Sequence, residues 1–144
     1  MKYIYGAVFT PADDGYSAEL RDLPGCITGA DTIADAFEMI TDAGAMWLWD
    51  AENHGEEIPA PTPIEDIRTE EGQVKSLVLL DTDEYRRANE NRAVKKTLTI
   101  PSWLNIEAER AGVNFSQILQ DGLKARLGIQ KAIRFYYTGR HTNG

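Results

Sequence analysis

Apolar and polar residues alternate over residues 2–10 (KYIYGAVFT) and again over 16–20 (YSAEL), the period-two pattern of half-buried strands. Pro11 to Gly15 supplies turn chemistry between them, so the chain is predicted to open with a β-hairpin. Ile27 and its neighbours follow the turn Leu23-Pro24-Gly25 as a short third strand. At Thr32 the period changes. Thr32 with Asp35 can cap a helix, and Ile33, Ala36, Phe37, Ile40, Ala43, Trp47 and Ala51 then recur at helical spacing as its predicted apolar stripe. A Pro-rich loop, Pro59-Ala60-Pro61-Thr62-Pro63, precedes a further apolar strand from Val74 to Leu80, and Thr82 to Arg87 reads as a last helical turn. Strand, strand, strand, helix, strand is the order of an α+β fold in two layers.

Period two returns at Val94. Val94, Lys96, Leu98 and Ile100 fall on one side and Lys95, Thr97 and Thr99 on the other, so only one side can cover a core. Pro101 ends this strand and Ser102 is placed to cap a helix in which Trp103, Leu104, Ala108 and Ala111 recur at intervals of three and four. Gly112 ends that helix. Asn114 and Gln117 form a capping-box-like start for a second helix with Phe115, Leu119, Leu123 and Leu127 as its stripe, and Lys124 and Arg126 complement its last turn. A lone strand cannot shield itself. A second copy of the chain would supply an antiparallel partner, making a ribbon narrow enough for the DNA major groove. The plainer reading is a strand and helical hairpin packed on the rest of the chain.

Charge divides the chain at the same place. Residues 1–91 hold 6 Lys and Arg against 20 Asp and Glu, a net −14, and residues 92–144 hold 9 against 3, a net +6, within a total of −8. A basic module suits nucleic acid, and an acidic one suits a basic protein or a cation, although an acidic face is often only solvated surface. The 144 residues are expected to divide into an acidic domain over 1–91, a second domain over 92–128 and a basic, aromatic tail over 129–144, with loop and linker at 65–72 and 86–93. No long apolar run or amino-terminal signal is present, and Cys26 is the only cysteine, which suits a reducing cytoplasm and a small buried side chain.

Several residues invite sharper chemistry. Asp13, Asp14, Asp22 and Asp31 could converge on Mg²⁺ in a nuclease, but Asp is common at turns and caps for local hydrogen bonding alone. His54 and His141 have no neighbours with zinc-ligand spacing, so no metal and no other cofactor is expected. Trp47 fits the buried stripe of the long helix, and Trp49, off the stripe, is a candidate partner anchor. Gly122 interrupts the last helix and points to a close crossing of helices between protomers.

The residues TLTIP, WL, AGVNFSQIL and GLKARLG, in that order, resemble the ribbon-helix-helix family of DNA-binding dimers over about 35 positions. That resemblance implies groove-facing Lys95, Thr97 and Thr99, with Asn114 and Ser116 at a DNA phosphate, where free helix amides favour an anion. The amino-terminal wording GYSAELRDLPGCITGADTIADAFEMI, followed by IPAPTPI, is similar to the HicB antitoxin family over about residues 3–80. Asp14, Gly15, Tyr16, Asp22, Leu23, Pro24, Gly25, Cys26, Asp31 and Thr32 stand in matching places, whereas Ala30 departs from a frequent Gly.

The second resemblance implies a reduced ribonuclease-H-like sheet-and-helix domain without nuclease activity. It also implies a partner, a small HicA-like toxin that cleaves mRNA and whose active site the antitoxin covers, with Asp14, Tyr16, Asp22 and Trp49 as toxin-binding residues. Together the two imply a non-enzymatic, cytoplasmic antitoxin that is a homodimer or higher oligomer and represses its own operon on double-stranded operator DNA. The rival expectation is a repressor whose amino-terminal domain senses a small molecule in an apolar pocket.

Overall fold

The protein is described here from a computed structural model over residues 1–129. The expected tail, with His141, lies outside the described residues from position 130 onward. Two compact units divide at Ala93 and Val94.

The first unit is built on the hairpin of β1 (Lys2–Ala12) and β2 (Gly15–Glu19). Its turn is tighter than expected: Pro11 and Ala12 pair with Tyr16 and Gly15, which leaves only Asp13 and Asp14 in the turn. β3 (Ile27–Ala30) pairs with β2, and β4 (Val74–Asp81) pairs with β1. All pairings are antiparallel and the strand order is β3-β2-β1-β4, so β3 and β4 are the edges. A long helix, α1 (Ile33–His54), covers one face, capped by the Thr32 hydroxyl, which accepts from the Asp35 amide at 3.1 Å as the sequence implied. Gly55 ends it in the left-handed conformation, at φ 63°.

Alternation decides which strand residues meet the helix. Tyr5, Ala7 and Phe9 of β1, Ala18 of β2, and Val78 and Leu80 of β4 bury with Ala36, Ile40 and Leu48 of α1. The helix stripe differs from expectation. Ile33 and Phe37 are exposed, while Gly44, Ala45 and Leu48 join Ala36, Ile40 and Ala51 inside. Gly44 accounts for the rotation, because a Cβ there would stand 2.6 Å from Leu20 Cδ1 and 2.8 Å from Leu80 Cδ1. Without a side chain at that position, α1 approaches the sheet closely along the face that Gly44 shares with Ile40 and Leu48.

The expected last turn is α2 (Thr82–Asn89), two residues longer than anticipated, with Asp81 capping it through bonds from the Asp83 and Glu84 amides. The linker expected at 86–93 therefore begins only at Glu90.

The second unit contains α3 (Ser102–Ala111) and α4 (Phe115–Leu127). Ser102 is the first helical residue and not the cap. Pro101 holds the cap position with no side-chain bond, since its fixed φ of −57° already suits a helix entry. Asn114 does cap α4, its side chain accepting from the Gln117 amide at 3.0 Å. Residues 94–100, expected as a strand, carry no strand assignment. A strand is defined by hydrogen bonds to a neighbour, and among the described residues no segment pairs with this one.

Candidate functional site

Each unit presents its own candidate surface. In the first unit, Asp13 and Asp14 are exposed at the hairpin turn, and half-buried Tyr16 pairs with Ala30 of β3. A Cβ on Gly15 would lie 2.2 Å from the Ala30 carbonyl oxygen and 3.0 Å from the Asp31 Cα, so the turn can lie against the start of α1 only because Gly15 has none. The fold thereby gathers Asp13, Asp14, Tyr16 and Asp31 at one end of the sheet.

Asp22 and Trp49 are elsewhere. Asp14 and Asp22 stand at opposite ends of β2, and both carboxylate oxygens of Asp22 are occupied by Thr62: Oδ2 accepts from its amide at 2.9 Å and Oδ1 from its hydroxyl at 2.6 Å. The same loop supplies the Pro59 carbonyl that accepts from the Tyr5 hydroxyl, and burial followed by the Asp22 charge pushes the Tyr5 phenol up. Trp49 is half-buried. Its indole N–H donates to Glu90 at 2.8 Å and its ring meets Tyr85 at 5.4 Å between centroids. Trp47 is also half-buried and donates to the Pro24 carbonyl at 3.1 Å.

A groove of about 430 Å³ runs between the start of β3 and the second half of α1, lined by Cys26, Ile27, Met46, Trp47, Trp49 and Asp50. Ile27 and Met46 are exposed in it. Sequence reasoning missed both as surface residues; the signal available was that Met39 and Met46, seven positions apart on α1, fall together off the buried stripe. Cys26 is buried and its thiol is pushed up by that burial, which leaves it protonated and unreactive at neutral pH. A second open groove of about 490 Å³ lies between α1 and α2, lined by Phe37, Glu38, Asp42, Ala45, Glu84 and Tyr85. Among the described residues no three His, Cys, Asp or Glu side chains come together as a metal site would require, and no helix is long and apolar enough to cross a membrane.

Glu52 forms a polar junction that the sequence did not reveal. It accepts from the Tyr3 hydroxyl at 2.8 Å and the Thr82 hydroxyl at 2.9 Å, with Arg86 at 3.6 Å, joining β1, α1 and α2. Burial, then the hydrogen bond to Glu52 and its charge, pushes the Tyr3 phenol up to about 12.

In the second unit Lys95, Thr97, Thr99, Asn114 and Ser116 are all exposed. Lys96, Leu98 and Ile100 line a groove of about 460 Å³ together with Phe115, Ser116, Ile118 and Leu119 of α4, so that Ser116, unlike Asn114, is one of the groove residues. The alternation read from the sequence thus has a structural counterpart, since Lys95, Thr97 and Thr99 are not among the groove residues. None of residues 94–129 is buried.

The description HicB_like antitoxin of bacterial toxin-antitoxin system belongs to a family that matches residues 5–121, across both units. The chain belongs to the HicB-like antitoxins. This antitoxin is similar to a chain of a toxin–antitoxin complex from Streptococcus pneumoniae at 25% identity and a TM-score of 0.56, over 88% of this chain and 99% of that one. It shares its fold with the antitoxin HicB of Burkholderia pseudomallei at 17% identity and a TM-score of 0.51, over 84% and 96% of the two chains. A chain of a HicA3 and HicB3 toxin–antitoxin complex matches at 27% identity and a TM-score of 0.46, over 55% of this antitoxin and 99% of that chain. No curated protein matches it.

Proposed function

We propose that this antitoxin neutralises a HicA-type, RNA-cleaving toxin through its first unit and represses its own operon through a ribbon-helix-helix dimer formed by its second, with no catalytic activity of its own. The observation that carries the DNA-binding half is that, among the described residues of the second unit, 94–129, none is buried in a single copy. Trp103, Leu98, Ile118 and Leu123 are each more than half exposed, and a unit with this much uncovered apolar surface gains its core from a partner. Pairing residues 94–100 of two copies antiparallel would cover Leu98 and Ile100 and leave Lys95, Thr97 and Thr99 on the outer side of the ribbon, able to enter the major groove. Asn114 and Ser116, at the first turn of α4, would then take a phosphate.

For the toxin, β3 joins two surfaces of suitable chemistry. At its end lie Asp14 and Tyr16, and at its start lies the groove holding Ile27, Met46 and Trp49. Carboxylates offered to a surface built for RNA phosphate steer the encounter, and the apolar groove supplies hold. Asp22 serves by fixing the Pro-rich loop through Thr62. Co-expression of the toxin with the full antitoxin tests this half: growth is restored by the wild type and lost with Asp14→Lys combined with Met46→Lys. Unchanged rescue by a folded double variant overturns the assigned surface.

A further inference from the structure

Trp49 stands where two surfaces of α1 meet. Ala45, Trp49 and Asn53 recur at intervals of four and turn toward α2: Ala45 lines the groove shared with that helix, and Asn53 accepts from Arg86 at 3.1 Å. Ala43, Met46 and Asp50 form the neighbouring row, which lines the groove beside β3. Trp49 belongs to both rows, since it lines the β3 groove while its ring meets Tyr85 and its indole N–H donates to Glu90. Among the described residues, neither Glu90 nor any residue of α2 lines that groove. The far side of the molecule therefore reaches it through the indole.

Glu90 is itself fixed at the end of α2. Its Oε1 accepts from Trp49 at 2.8 Å, its Oε2 meets Arg86 Nε at 3.3 Å, and its amide donates to the Arg86 carbonyl at 2.7 Å. Arg86 in turn donates to Asn53 and stands 3.6 Å from Glu52. The chain of contacts that starts at the indole thus closes back on α1 one turn further along.

We propose that Glu90 is a positioning residue for toxin capture: with Tyr85 against the ring, it holds Trp49 in the orientation that the β3 groove presents, without touching the toxin itself. The proposal rests on the reading of that groove as part of the toxin surface. A tryptophan side chain has two torsions to fix on binding, and an anchor already held in the free protein leaves that ordering cost out of the association. Releasing it is expected to weaken binding roughly two- to tenfold.

The test is calorimetric titration of the full-length antitoxin with the HicA-type toxin, together with fluorine resonances of the antitoxin labelled with fluorotryptophan at its three tryptophans. Trp49→Ala is expected to weaken binding by about thirtyfold or more, as the loss of an aromatic anchor does. Glu90→Ala is expected to weaken it roughly two- to tenfold and to shift or broaden the Trp49 resonance, with those of Trp47 and Trp103 and the Tm in place. Glu90→Gln keeps an acceptor for the indole without the charge and is expected to retain both affinity and resonance. In a Trp49→Ala background Glu90→Ala is expected to add nothing, because it acts through the indole. Equal weakening by Glu90→Gln and Glu90→Ala means that the charge attracts the toxin directly, and overturns the positioning role. Wild-type affinity of Glu90→Ala beside a weakened Trp49→Ala overturns that role and leaves the toxin surface standing. Wild-type affinity of Trp49→Ala overturns both.

Discussion

Asp22 and Thr62 are joined by two hydrogen bonds, one to each oxygen of the carboxylate, at 2.9 Å from the amide and 2.6 Å from the hydroxyl. The pair ties the turn after β2 to the Pro-rich loop forty positions later. Asp22→Ala leaves a half-buried amide without its acceptor and is expected to cost about 1–3 kcal/mol of stability. Thr62→Val, which keeps the amide, is expected to cost less. A double-mutant cycle in urea checks the relationship, and additive effects of the two changes would refute it.

Gly44→Ala sets two effects against each other. Alanine improves helix propensity by about 1 kcal/mol. The added methyl, however, meets Leu20 at 2.6 Å and Leu80 at 2.8 Å, and overpacking a core typically costs about 1–3 kcal/mol. The balance is expected to be destabilising, as a lowered urea midpoint. A raised midpoint would mean that α1 can move off the sheet freely.

Tyr3 gives the fold a dependence on alkaline pH. Its neutral phenol donates to Glu52, and its folded pKa of about 12 lies above the ordinary value of 10.0. A group with a raised folded pKa contributes stability that is complete below the unfolded value and is lost as pH rises through the folded one. Stability is therefore expected to fall between pH 10 and about 12, and Tyr3→Phe to flatten that part of the profile. Ultraviolet titration of the tyrosines in both proteins, alongside thermal melts, measures it.

Lys95→Ala removes a cation from the proposed ribbon. Operator affinity is expected to fall and the slope of its salt dependence to shrink by about one unit, because a cation held in the groove is lost. Thr97→Ala, at a base-facing position, is expected instead to relax preference among operator variants. Fluorescence anisotropy across a salt series separates the two, and an unaltered slope for Lys95→Ala would remove that residue from the interface.

Much of the fold was legible because local pattern and final structure agree. The four strands of the first unit, the Thr32 cap and the Asn114 cap follow from alternation and from hydroxyl or amide groups placed three residues before a free backbone N–H. The stripe of α1 was misread at Ile33, Phe37 and Leu48, since a pattern of side chains says nothing about where a residue without one lets the helix sit closest. Phe37 shows the consequence: it stacks on Phe9 at 5.4 Å between ring centroids yet keeps 39% of its surface exposed.

The candidate sites divide in the same way. Charge asymmetry, the Asp-Gly-Tyr turn and the alternation at 94–100 were readable along the chain, because each depends on residues within a few positions of one another. That Gly15 lies against Ala30 and Asp31, that Asp22 is held by Thr62, that Trp49 leans on Tyr85, and that Glu52 gathers Tyr3 and Thr82 were decided only when distant segments met. Sequence by itself determined the elements of the first unit, the two helices of the second, the Thr32 and Asn114 caps and the family, since these are set by local periodicity and local hydrogen bonding. The tertiary structure alone decided which polar groups are taken up inside the protein and which remain free for a partner, since that follows from contacts across many tens of residues.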